Sequence, residues 1–171
     1  MRTNPRTESC PPADAETAPL LADLRSARDE ADLDRAFEAN ADTLRRLASG
    51  AAFDRAGYRR VELARDDELL VVLIGWLPGQ RSEPHDHGGS SCTYRVLRGI
   101  AEETRFLRLP TDEVVAETVE HFLPGASVRC DGEDIHSLGN PDGADSPLVT
   151  LHVYRPAPAM RHYAIANRGG R

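Results

Sequence analysis

Cysteine is scarce in this chain, with three residues in 171, Cys10, Cys92 and Cys130. An odd count with no secretory leader at the N-terminus argues against a disulfide framework, so a reducing cytoplasm is the expected compartment. Basic charge is in deficit, since 21 Lys and Arg against 28 Asp and Glu leave a formal net charge of −7. A nucleic-acid partner, which needs a basic face, is therefore not expected, and neither is attraction to an anionic membrane. Long hydrophobic runs are missing too. The most apolar stretch, Leu69 to Leu77, falls far short of the ~20 residues that cross a bilayer and reads as a buried strand. No internal repeat and no boundary for a second domain is visible.

The rest fits one domain with a real core. Residues 1–17, with Pro5, Pro11 and Pro12 among polar neighbours, read as a disordered tail, 18–167 as the domain and 168–171 as a second tail. Ala18 to Ala48 has helical spacing of apolar residues, with Leu20, Leu21, Leu24 and Ala27 on one face and Leu33, Phe37, Leu44 and Leu47 continuing it. Pro19 suits a first turn and Gly50 a stop, and a break near Asp29 to Asp32 makes two helices. Beyond Gly57 come short strands: Tyr58 to Leu63, Leu69 to Leu77, Thr93 to Leu97, Glu102 to Leu107, Val114 to Phe122, Ser127 to Cys130, Ile135 to Leu138 and Leu148 to Tyr154. Turn residues punctuate them, which predicts a mainly β sandwich or small barrel with the helices packed outside.

The chemistry concentrates between Gly79 and Gly99. His85 and His87, two apart on an expected strand, project from one face and can reach one metal ion. His136 follows 49 residues after His87, with Asn140 beyond it. Three neutral nitrogen ligands with open positions make a reactive metal site rather than a structural one.

Gly79, His85, His87 and Gly99 resemble the first cupin motif in spacing. Gly125, His136 and Asn140 resemble the second, although Asp131 and Glu133 stand where Pro and Gly are expected and Gly132 is shifted by one. Cys92 occupies the place of the usual cupin glutamate. Over roughly Tyr58 to Tyr163 the chain resembles the cysteine dioxygenase family. That resemblance implies a cupin-type jelly-roll barrel and an Fe(II) site on His85, His87 and His136. It also implies a substrate-carboxylate arginine at Arg60, two after Tyr58, and a thioether between Cys92 and Tyr154. The family's Ser-x-His-x-Tyr pattern appears here as Thr150, His152 and Tyr154.

Thr150, His152 and Tyr154 at i, i+2 and i+4 share one face of a strand, so a hydroxyl, an imidazole and a phenol can form a polar relay or a satisfied core network. An arginine turned into a barrel must find an anion, and a substrate carboxylate suits Arg60. An internal ion pair, or Arg59 inside instead, remains the alternative. With three neutral ligands the full charge of a divalent ion favours an anionic donor such as a thiolate.

The expected activity is oxidation of L-cysteine by O2 to cysteine sulfinic acid, in a monomer or homodimer whose partners are a small thiol and O2. The alternatives are 3-mercaptopropionate as substrate, zinc or nickel in place of iron, and a non-catalytic metal-binding cupin. Elsewhere bland roles are expected. Trp76 and Phe106 read as core, Cys130 as a small buried hydrophobe, Cys10 as incidental and His121 as structural. Glu102 and Glu103 read as the solvent face of a strand. The Pro156-Ala157-Pro158 segment with Met160 reads as cover for the pocket mouth, and His162 beyond it as structural, with a site role the alternative.

Overall fold

The structure, a computed structural model, describes residues 6–9 and 15–166. Cys10, the three N-terminal prolines and the stretch 168–171 lie outside the described residues. In chain order the elements are β1 (Arg6–Ser9), α1 (Ala18–Ser26), α2 (Glu30–Ala39), α3 (Ala41–Ser49), β2 (Arg59–Arg65), β3 (Leu70–Trp76), β4 (Ser91–Arg98), β5 (Ala101–Arg108), β6 (Val114–Phe122), β7 (Ser127–Cys130), β8 (His136–Gly139) and β9 (Leu148–Arg155). Each expected strand is present to within two residues at either end. One lies where the sequence reads as tail: β1 pairs parallel with β2.

The helical region has two breaks, not one. At the first, the Asp29 carboxylate accepts from the Asp32 amide at 2.8 Å while Asp32 accepts from the Arg28 amide at 2.9 Å. This reciprocal cap satisfies donors that a helix start leaves open. At the second, Asn40 closes α2 and opens α3, and its amide donates to Asp23 at 2.7 Å and to the Ala36 carbonyl at 2.9 Å. Leu20, Leu24 and Phe37 are buried against Val71, Leu73, Leu151 and Val153 on the outer faces of β3 and β9. Truncating such a leucine to alanine costs about 2–5 kcal/mol.

The strands form two facing sheets of a jelly roll rather than one hydrogen-bonded ring. One sheet runs β1-β2-β3-β9-β4-β7 and the other β6-β5-β8. Strands β3 and β9 are buried throughout their lengths apart from Arg155. Helices cover one face and the inter-sheet core the other, which is why Leu70–Trp76 is continuously apolar instead of alternating. The register stacks Leu70, Tyr154 and Cys92 in one row, Val72, His152 and Tyr94 in the next, and Ile74, Thr150 and Val96 in a third. All three rows face the interior. Gly99 turns β4 into β5 at a φ of 79°, where a Cβ would stand 2.7 Å from the Pro147 carbonyl oxygen. Among the described residues no helix is long and apolar enough to cross a membrane.

Candidate metal centre

His85 and His87 do not lie on a regular strand. They occupy an extended loop between β3 and β4, and His85 makes only isolated bridges, to His136 and His162. Pro84 offers no amide to a ladder, and Gly88 and Gly89 take positive φ just beyond His87. Backbone bonds tie the loop down instead. The His85 amide donates to the His136 carbonyl at 2.9 Å, and the His87 amide to the Gly132 carbonyl at 3.1 Å. A Cβ on Gly132 would fall 2.4 Å from the Gly89 carbonyl carbon, so this glycine permits the approach that the altered second motif still needs. Asp86, between the two histidines, is a brace and not a ligand. It accepts from the Gly88 amide at 3.0 Å and the Tyr163 hydroxyl at 2.5 Å.

The three rings nevertheless converge. One nitrogen from each of His85, His87 and His136 lies within 4.8 Å of the others, and all three residues are buried. The Nε2 atoms of His87 and His136 are 3.4 Å apart. Adjacent ligands of one ion, with metal–nitrogen bonds of about 2.1 Å, stand roughly 3.0–3.4 Å apart, so the donor set fits a metal. Nδ1 of His87 is buried with no protein partner, while Nδ1 of His85 bonds the Glu83 carbonyl at 2.8 Å. Burial, then the neighbouring His136, hold His85 well below the ordinary imidazole range, and the same causes lower His87 to about 4. Both are neutral at pH 7, as ligation requires.

The opposite wall is strand β9. Thr150 Oγ1 lies 2.9 Å from His152 Nε2, and His152 Nδ1 lies 3.3 Å from the Tyr154 hydroxyl. Enclosure lowers His152 far below its usual range, with Arg60 adding to the effect, and raises Tyr154 well above. Both are neutral hydrogen-bonding groups. Cys92 sits opposite Tyr154 in the β4–β9 register, buried, with a thiol that enclosure pushes up. Its Sγ lies 4.0 Å from His152 Nδ1.

His85 and His136 of the floor and His152 and Tyr154 of the wall share a pocket of about 440 Å³ that Arg60, Tyr58, Met160 and His162 also line. Arg60, not Arg59, reaches it. Its Nε is enclosed with no hydrogen-bond partner. Tyr58 is buried and stacks on Trp76, with ring centroids 4.3 Å apart. His162 stands at the rim, its Nδ1 3.8 Å from the Glu83 carboxylate, with both side chains more than half exposed.

Residues 16–165 match the family described as cysteine dioxygenase type I. The chain belongs to that family. Membership supports a cupin thiol dioxygenase, a metal-dependent class, and the three-histidine cluster could hold a metal ion. Solved structures agree on the fold. An uncharacterised protein with a double-stranded β-helix domain from Klebsiella pneumoniae subsp. pneumoniae MGH 78578 is 18% identical with a TM-score of 0.58, covering 68% of this chain and 88% of that one. A protein from Thermus thermophilus is 22% identical at 0.54, covering 66% and 95%. A cupin superfamily protein from Desulfitobacterium hafniense DCB-2 is 16% identical at 0.51, covering 64% and 87%.

Within this cysteine dioxygenase relative, two residues carry more than the sequence analysis assigns them. Glu103 is buried, not on the solvent face. Its carboxylate lies 2.8 Å from His136 Nδ1 and accepts from the Tyr94 hydroxyl at 3.1 Å. Glu102 is the outward member, paired with Arg81 and His121. Strand alternation demands that one of two adjacent glutamates face inward, which is the signal that was there to read. Trp76 extends the relay, its indole donating to Thr150 Oγ1 at 3.0 Å. Cys130 is buried as expected, opposite Cys92 and 3.5 Å from His136 Nδ1.

Proposed function

We propose that this chain is an Fe(II)-dependent thiol dioxygenase that oxidises L-cysteine with O2 to cysteine sulfinic acid. The observation that carries the reading is one pocket lined by His85 and His136, with His87 converging on them from beside it, and by Arg60, whose enclosed Nε has no hydrogen-bond partner. Iron bound by His85, His87 and His136 would supply the redox chemistry that joins a thiol to O2. The protein's own groups do the rest. A guanidinium half withdrawn from water needs an anion, and the fork of Arg60 suits the substrate carboxylate. The phenol of Tyr154 lines the same pocket as Arg60, His85 and His136, where its proton can bond to the carboxylate or to the reacting oxygen. His152 and Thr150 orient that phenol, and its enclosure keeps it neutral.

Cys92 and Tyr154 face each other across two strands, which favours a thioether between sulfur and the phenol ring. That bond replaces one S–H and one C–H, with O2 as the acceptor of two electrons and two protons. It fixes the phenol and removes a thiol that would otherwise climb the oxidation ladder. Intact mass before and after turnover tests it, since a mass that never loses two hydrogens removes the crosslink.

O2 uptake by the iron-loaded protein, with L-cysteine and 3-mercaptopropionate in parallel and sulfinate measured as product, tests the function. Preferential turnover of cysteine supports the whole reading. Preference for 3-mercaptopropionate keeps the reaction class and replaces the substrate. Absence of uptake with any small thiol, iron being bound, overturns it.

A further inference from the structure

Among the described residues, Glu103 is the acidic side chain that the core encloses completely, with 0% of the side chain exposed. Enclosing a carboxylate is costly unless its oxygens are matched. Here they meet His136 Nδ1 at 2.8 Å, the Tyr94 hydroxyl at 3.1 Å, Cys130 Sγ at 3.6 Å and the Arg105 guanidinium at 3.8 Å. The placement follows from register. His136 on β8 pairs with Arg105 on β5, and Glu103, two residues along, is its diagonal neighbour on the same face.

A carboxylate accepts hydrogen bonds and does not donate them. His136 must therefore carry its proton on Nδ1, which leaves the Nε2 lone pair aimed at His87 and His85. We propose that Glu103 is the positioning residue of the metal centre, locking the His136 tautomer and lending a negative charge to a ligand set that has none of its own. Tyr94 carries the same restraint to the far wall. Its hydroxyl donates to Glu103, and its ring stacks on His152 at 5.4 Å and 26°. One carboxylate thus steadies a metal ligand on one sheet and, through Tyr94, the imidazole of the relay on the other.

The proposal rests on the three histidines being a metal site, and its test needs neither thiol nor O2. Glu103→Gln keeps the volume and can still accept from Nδ1 but removes the charge. Affinities for Fe(II) and Co(II), by competition with a chelator, should weaken about ten- to a hundredfold, the usual cost of losing an outer-shell partner of a ligand histidine. The Co(II) absorption bands should shift, while the metal-free variant should melt within a few degrees of wild type. Wild-type affinity and an unchanged Co(II) spectrum in Glu103→Gln would overturn the proposal. A second measurement uses no variant. Nitrogen-15 NMR of histidine in the metal-free wild-type protein should find the His136 proton on Nδ1, and a proton on Nε2 overturns the assignment. Neither readout depends on turnover, so the comparison decides Glu103 even where the enzyme oxidises none of the thiols tried.

Discussion

The wall on β9 and the floor around β8 hold their histidines in opposite ways. His152 sits mid-strand between Thr150 and Tyr154, and the backbone repeat alone brings the three together. That strand is packed on both faces, so its side chains have little freedom. The floor is assembled from distant pieces. His85 and His87 come from an irregular loop, His136 from the first residue of β8 and Glu103 from the middle of β5. Hydrogen bonds through Gly132, Asp86 and the His85–His136 bridge substitute for strand pairing. The groups of the relay thus stand on a strand packed on both faces, and the groups read as ligands are gathered by a loop that the scaffold positions.

The strongest way to separate the two regions is to remove one imidazole from each. His136→Ala deletes a proposed ligand and leaves the Glu103 carboxylate enclosed without its closest partner. Metal content should fall to background and turnover with it, and stability should drop by about 3–5 kcal/mol, the cost of breaking a buried pair from one side. His152→Gln, in contrast, should retain the metal. Metal analysis and thermal melts check both. Full metal occupancy in His136→Ala would show that the floor is not the ligand set.

Arg60→Ala removes no imidazole from either region. A hydrogen bond to a charged partner contributes about 1.5–3 kcal/mol, so kcat/KM for cysteine should fall about ten- to a hundredfold, mainly through KM. Steady-state kinetics at saturating O2 decide this. A KM at the wild-type value would move the carboxylate site elsewhere.

Acid should act on both regions together. His85, His87 and His152 all titrate below their ordinary value of 6.5 in the folded chain because burial excludes the charged form. Below pH 6.5 the unfolded chain takes up protons that the folded chain refuses, so stability must fall as pH falls. The midpoint of thermal unfolding of the metal-free protein should be flat above about pH 7 and decline between about pH 6.5 and 5, above the carboxylate range. His152→Gln should make that decline shallower by removing the share of the wall. An equally steep decline would mean that the floor alone sets the acid sensitivity.

Much of this was legible in the residues. Turn signals such as Pro124-Gly125 and Asp131-Gly132 delimit strands because glycine and proline interrupt pairing, and the period of two makes Thr150, His152 and Tyr154 a set. The short strand Arg6–Ser9 was not legible, since Arg-Thr-Glu-Ser carries no apolar alternation. The break at Asn40 depends on a contact with Asp23, 17 residues away, which no local pattern encodes. Glu103 was half legible: alternation sends one of two glutamates inward, but only the register of β5 against β8 selects which. For Trp76 the bulk of the ring announces core and hides the one polar atom that matters.

That atom supplies the smallest effect and the finest distinction. An indole N–H can only donate, so Thr150 Oγ1 must accept from Trp76 at 3.0 Å. The Thr150 proton can then go to His152 Nε2 at 2.9 Å. In that direction a neutral His152 carries its own proton on Nδ1 and donates it to the Tyr154 oxygen at 3.3 Å. The phenol proton is thereby freed to point into the pocket. Trp76→Phe keeps a ring to stack on Tyr58 but removes the donor that sets this direction. Thr150 can then turn, His152 can exchange tautomers, and Tyr154 spends part of its time donating backward. The expected result is a few-fold loss of kcat, an unchanged KM for the thiol and a stability cost of about 1 kcal/mol. Metal content should not move, because no floor residue depends on the indole. If kcat holds at the wild-type value while the melting point falls, the Trp76–Thr150 bond serves the core alone, and the direction of the relay is set by the three residues of β9.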